Sequence, residues 1–337
     1  MITTMRSLAA LALALAGLLM GGIPTASRAG DLPPSQMIES FEGTFGVHPG
    51  QRRNHTKGTC ATGEFVGRPA AKDFSRSALF LRSTIPVIAR FSVGGGNPEV
   101  ADVDASLPRG MALEFHLPGG LLQHMTMVNT PIFGAATPAS LNDAIVAARP
   151  DPKTGKPDPK NLDEYMASHP DARTLAEWSR GHGPSATYFQ SKYYSIHTFQ
   201  FVDSKGVAHP VKWRFVPHDG DKELSAAEIA SAPHDFLEKT LLGRVYDWEL
   251  LWDMLVYVGE AGDPVDNPSL AWPESRRHFV AGTLAIKDAT PQQGAASENI
   301  NFDPLILADG IAPSNDSVLL FRSPAYAVSF GKRLSGR

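Results

Sequence analysis

Arg322 and Tyr326 stand four residues apart near the C-terminal end of the chain, a spacing that puts both side chains on one face of a helix and within reach of each other. A fixed guanidinium beside a phenol favours the phenolate. An ordinary phenol ionises near pH 10, and one close cation lowers an acid by about 1–3 pH units. The pair alone therefore stops short of neutrality, and a ferric ion on the oxygen, acting as a Lewis acid, supplies the rest. Tyrosinate is one of the axial ligands through which proteins hold haem iron. An isolated R-x-x-x-Y is more often a surface pair on a terminal helix, so the neighbouring residues must decide.

Those neighbours form an ordered set. Phe302-Asp303-Pro304, Gly310-Ile311, Pro313-Ser314, Asp316 and Leu319 precede the Arg322/Tyr326 pair. Far upstream lie Arg52-Arg53-Asn54-His55-Thr56-Lys57-Gly58 and Ala89-Arg90-Phe91-Ser92-Val93. Pro108-Arg109-Gly110, Asn129-Thr130-Pro131, His197-Thr198-Phe199 and Trp272-Pro273 follow in that order. Together they resemble the haem catalases, from about residue 37 to about residue 334. The resemblance implies an α+β fold, in which a catalase-like antiparallel β-barrel of about eight strands, with helical additions, encloses a buried haem b. It implies Tyr326 as the iron ligand, with Arg322 beside it, and Arg52, Arg90 and Arg333 for the haem propionates, since a planar guanidinium fork suits a carboxylate.

Breaking a peroxide O–O bond heterolytically needs an electron-rich axial ligand, a base that takes and returns a proton, and a polar group that holds the peroxide. His55 is the acid–base candidate, because imidazole exchanges a proton near neutral pH. The resemblance implies that Ser92 fixes its tautomer and that Asn129 donates an amide N–H to the peroxide. The other ten histidines contain no H-E-x-x-H pair and no Cys/His cluster, which argues against a zinc enzyme.

The elements that must position these residues are partly legible. Ser35–Phe45 predicts a helix capped by Ser35, followed by the loop bearing Arg52 and His55. Val87–Val93, Gly110–Leu117 and Leu122–Val128 predict strands with Gly- and Pro-rich stops. Arg149–Lys160 predicts an exposed loop, and Leu162–Arg180 a helix ended by Gly181. Tyr193–Val202 and Val207–Val216 predict a hairpin. Ser225 opens a capping box for a helix running to about Leu242, and Tyr246–Val258 and Phe279–Lys287 predict two more strands. Pro324 between Arg322 and Tyr326 predicts a kink in the terminal helix, or Arg322 in its first turn.

Residues 1–29 predict a secretory signal: one early arginine, an apolar run over Leu8–Ile23, and small residues at Ser27-Arg28-Ala29. Residues 30–337 are then a single haem-binding domain, periplasmic or secreted and without a membrane anchor once the signal is cleaved. The chain has 42% hydrophobic and 20% charged residues and a net charge of −4, an ordinary globular composition that gives no reason to expect nucleic acid. Cys60 is the only cysteine, so no internal disulfide forms.

The chain runs only eleven residues past Tyr326, which makes it similar to the short catalase-related peroxidases. After Phe133 it has Gly134-Ala135-Ala136, small residues expected to widen the channel and admit bulkier peroxides. The expected activity is reduction of organic hydroperoxides and hydrogen peroxide by a small organic electron donor, with weak catalase activity, in a monomer or homodimer. Alternatives are a true monofunctional catalase, a hydroperoxide-rearranging enzyme, or a haem-binding protein without turnover.

Overall fold

Burial at every second position marks the strands Phe199–Val202, Ala208–Pro217 and Leu250–Val258. In Ala208–Pro217, the side chains of Val211, Trp213, Phe215 and Pro217 are buried while those between them are only half-buried, the period of a sheet with one face on a core. The computed structural model describes residues 32–337, which form one compact unit. The expected secretory signal lies outside the described residues. Among the described residues, no helix is long and apolar enough to cross a membrane.

The elements in chain order are α1 (Pro34–Phe45), β1 (Gly58–Gly67), β2 (Thr84–Val93), β3 (Arg109–Leu117), β4 (Leu121–Val128), α2 (Pro138–Ala147), α3 (Pro159–Ser168) and α4 (Pro170–Arg180). There follow β5 (Tyr193–Tyr194), β6 (Phe199–Val202), β7 (Ala208–Pro217), α5 (Ala226–Ser231), α6 (Leu237–Asp247), β8 (Leu250–Val258), β9 (His278–Pro291), β10 (Ile311–Pro313) and α7 (Ser317–Leu334). Antiparallel pairing runs β1–β2–β3–β4–β5–β7–β8–β9 and returns from β9 to β1, so the eight strands close into a barrel, with β6 and β10 extending one side of β7. The fold is α+β, as expected.

The barrel does not hold the cavity inside it. Its interior is filled by Phe65, Phe91, Phe115, Phe215, Trp252 and their neighbours, including an edge-to-face Phe65–Phe115 pair with centroids 5.4 Å apart. The large cavity instead lies against outward-facing Ser92, Gly110, Ala112, Thr126 and Val128 of β2–β4, and α1 and α7 supply other walls. Barrel wall and helical additions together enclose the cavity, as expected, on the outer face of the sheet; period-2 alternation separates two faces without saying which one a pocket uses.

Prolines account for several differences from the expected elements. The helix expected over Leu162–Arg180 is two helices, because Pro170 pushes His169 out of helical geometry (φ −118°, ψ 84°). The Ser225 capping box forms, but that helix ends at Ser231, ahead of Pro233, and α6 starts anew. α1 begins one residue earlier than expected, with Pro34 rather than Ser35 at its start. The strand expected over Tyr193–Val202 is interrupted between β5 and β6, where Ile196 adopts a left-handed φ of 52°. α7 runs through Pro324 as a single helix, with Asp316 Oδ1 accepting from the Val318 and Leu319 backbones at its start. Arg322 sits beyond the first turn.

Candidate active site

Both ends of the expected chemistry meet at one cavity of about 210 Å3. α7 contributes Arg322, Tyr326 and Arg333, the loop before β1 contributes Arg52 and His55, and β2 contributes Arg90 and Ser92. Arg322 Nη2 donates to Tyr326 Oη at 2.6 Å and to Thr126 Oγ1 at 2.8 Å, so Pro324 does not disrupt the four-residue pairing.

His55 is one of only two non-glycine residues with positive φ among the described residues, at 53°; the other is Ile196, next to His197. Such a conformation costs about 1–3 kcal/mol and persists where the surroundings over-determine it. Here Asn54 Oδ1 accepts from the backbone N–H of both His55 and Gly95, each at 2.9 Å. The His55 ring then lies with Nδ1 3.0 Å from Ser92 Oγ. Gly110 makes room for it: a Cβ there would stand 2.7 Å from Ser92 Oγ and 2.9 Å from the imidazole. Gly58 leaves space for the Arg90 guanidinium in the same way.

Enclosure by protein holds the His55 ring at a pKa of about 3, and the charges of Arg90, Arg322 and Arg52 reinforce the effect. The imidazole is thus held in its neutral form. Arg52 is lowered to about 8, by burial first and then by Arg90 and Arg333; burial likewise lowers Arg90 to about 10. Arg52 donates to the carbonyls of Ser297 and Ile300 at 2.9 and 2.8 Å, Arg90 to Gln292 Oε1 at 2.9 Å, and Arg333 to the Ile300 carbonyl at 3.3 Å. Among the described residues none of the three pairs with a carboxylate. Buried cations left so are destabilising, and a dianionic ligand edge would compensate them.

Asn129 is the expected site residue that does not reach the cavity wall. Its Oδ1 accepts from the Arg109 N–H at 2.7 Å and its Nδ2 donates to Ser185 Oγ at 3.1 Å. In this arrangement its oxygen pins the Arg109 backbone and one amide N–H is held by Ser185, with the side chain outside the cavity lining. Gly134, Ala135 and Ala136 also stand away from the cavity. A Cβ on Gly134 would meet Leu175 of α4 at 3.0 Å, and Asp171 Oδ2 accepts from the Ala136 N–H at 2.7 Å. The space released by small residues is filled by α4, which corrects the expected widening.

Two residues noted only as motif members prove to be part of the site. His197 lines the cavity and its Nδ1 is 2.6 Å from Asp316 Oδ2, while its buried Nε2 has no partner among the described residues. Burial lowers His197 to about 4 against the opposing pull of Asp316. Asp316 thus caps α7 with one oxygen and holds His197 with the other. A buried Asp at a helix start was the available signal; the residue it would meet 119 positions away was not.

The catalase family model matches residues 47–337. The chain belongs to the catalase family. It is 46% identical over 328 residues to a catalase-related peroxidase of Synechococcus elongatus, covering 97% of this chain and 96% of that one. A catalase-related peroxidase of Mycolicibacterium paratuberculosis is 32% identical, with 89% and 94% covered. The solved structure of catalase A from Saccharomyces cerevisiae superposes with a TM-score of 0.78 at 23% identity, covering 85% of this chain but 62% of that one. Catalase-family proteins bind haem, and the donor set here fits one: a phenol for iron and unpaired guanidiniums for its carboxylates.

Two outcomes follow from this geometry. Gly110→Ala should cost about 1–3 kcal/mol through overpacking and lower peroxide turnover with haem content unchanged, checked by denaturant unfolding and steady-state rates. The apoprotein should lose stability as pH falls from about 6.5 to 5, because the unfolded chain protonates His55 and His197 while the folded one, with values of about 3 and 4, does not. Unfolding across that window should show a slope that flattens in His55→Gln.

Proposed function

We propose that this catalase-family enzyme acts on peroxide as a peroxidase, reducing organic hydroperoxides and hydrogen peroxide with electrons from a small organic donor. The cofactor in this reading is haem b held by Tyr326. The observation that carries it is His55, tied to Ser92 at 3.0 Å and facing the same cavity as the Arg322–Tyr326 pair. Haem storage needs an axial ligand, but it needs neither an acid–base residue nor a strained loop to hold one. A thioether-linked haem is disfavoured, because Cys60, the sole cysteine, is buried in β1 away from the cavity, and haem b needs no such link.

The side chains divide the work. With Nδ1–H donated to Ser92 Oγ, His55 presents Nε2 as the atom that takes a peroxide proton and returns it to the departing oxygen. Arg322 restrains charge on the Tyr326 oxygen, and Asp316 and His197 hold the start of α7. Arg52, Arg90 and Arg333 would take the propionates. Bound haem supplies the redox capacity that none of these side chains has. Met37, Ile38, Phe41 and Leu141 give the cavity an apolar side that suits the alkyl part of an organic hydroperoxide.

Peroxidase rather than dismutase is supported by relatives carrying that name along nearly their whole length. By contrast, a Listeria seeligeri catalase is 26% identical, with 59% of it covered. The apolar run in residues 8–23 supports export to the periplasm or beyond, and we propose a monomer or homodimer there.

In the haem-loaded protein, His55→Ala should keep the ferric Soret band while turnover falls by about 10²- to 10⁴-fold, the usual contribution of a positioned acid–base group. Tyr326→Phe should lose the band. Rates with hydrogen peroxide alone, set against an organic hydroperoxide plus a dye donor, test the substrate assignment. Vigorous oxygen release without a donor would identify a true catalase instead.

A further inference from the structure

A guanidinium carries five N–H donors, yet among the described residues the hydrogen bonds of Arg322 all leave one nitrogen. Nη2 gives one to Tyr326 Oη and the other to Thr126 Oγ1, at 2.6 and 2.8 Å. Thr126 is therefore the only described hydrogen-bonding anchor of this guanidinium apart from the phenol it polarises. It is half-buried, lines the cavity and points outward near the C-terminal end of β4.

Docking of α7 does not need this contact. His124, two residues earlier on the same face of β4, has Nε2 2.8 Å from Glu114 Oε2 and Nδ1 3.2 Å from the Asp303 carbonyl. Asp303 Oδ2 in turn accepts from Ser323 Oγ at 2.5 Å. That relay secures α7 one residue from Arg322, and Asp316 secures its start. What Thr126 adds is orientation: it fixes the second Nη2 proton, so that the first stays aimed at the phenol oxygen.

We propose that Thr126 is a positioning residue that sets how much charge Arg322 withdraws from the Tyr326 oxygen, and through it the reduction potential of iron bound there. The inference rests on haem ligation by Tyr326. Valine has the shape of threonine without the acceptor. With Thr126→Val the guanidinium keeps only its bond to the phenol and turns about it, the oxygen retains more negative charge, and the ferric state gains over the ferrous one.

The test is a spectroelectrochemical titration of haem-loaded wild type, Thr126→Val, Thr126→Ala and Thr126→Ser, read with the tyrosinate-to-iron absorption band. The Val and Ala variants should bind haem fully, show a lower midpoint potential and move the band in a common direction, and Ser should restore both. An unchanged potential and band in Val and Ala would overturn the inference. So would a shift that Ser does not reverse, which indicates packing, or haem loss in both Val and Ala, which indicates docking. A wild-type protein lacking the tyrosinate band would instead sink the ligation itself, and the inference with it.

Discussion

A charged hydrogen bond between two side chains one helical turn apart is the contact around which the site is built. Arg322 and Tyr326 meet at 2.6 Å within α7, and much of the surrounding polar structure holds that helix, and so the pair, against the outer face of the barrel. Asp316 caps the helix and grips His197. Asp303 ties Ser323 to the segment before the helix, and β4 offers His124 and Thr126 as fixed points. An interior proline forfeits one backbone hydrogen bond, and these tertiary contacts accompany the helix across Pro324.

Electrostatics gives the same cavity its second character. Five arginines line it, and among the described residues all but Arg53, which pairs with Glu42, are without a carboxylate partner. Their field adds to burial in keeping His55 neutral. Positive surroundings that disfavour a protonated imidazole also favour a bound dianion, so one arrangement serves both the base and the cofactor's carboxylates. Strain is concentrated here as well: the two left-handed non-glycine residues, His55 and Ile196, both line this cavity.

Legibility in the sequence followed the range of the interaction. The Arg322/Tyr326 spacing lies within one helical turn and could be read directly, as could the Ser225 capping box and the alternating strands. Helix ends at Ser168 and Ser231 were missed where Pro170 and Pro233 overrode a helical pattern. Pockets on the outside of a filled barrel were not legible, because alternation is symmetric between faces. Asn54, Thr126 and the His197–Asp316 pair became visible only once distant segments met, and Asn129 proved to be spoken for by Arg109 and Ser185.

The central claim is a bond between the Tyr326 oxygen and haem iron. Resonance Raman spectroscopy of the ferric haem-loaded protein, excited in the tyrosinate-to-iron band, tests it most directly. Tyrosinate ring modes should be enhanced and should shift when the protein is grown with ring-deuterated tyrosine. A spectrum without those modes, or one carrying the signature of an axial imidazole or thiolate, would contradict the account.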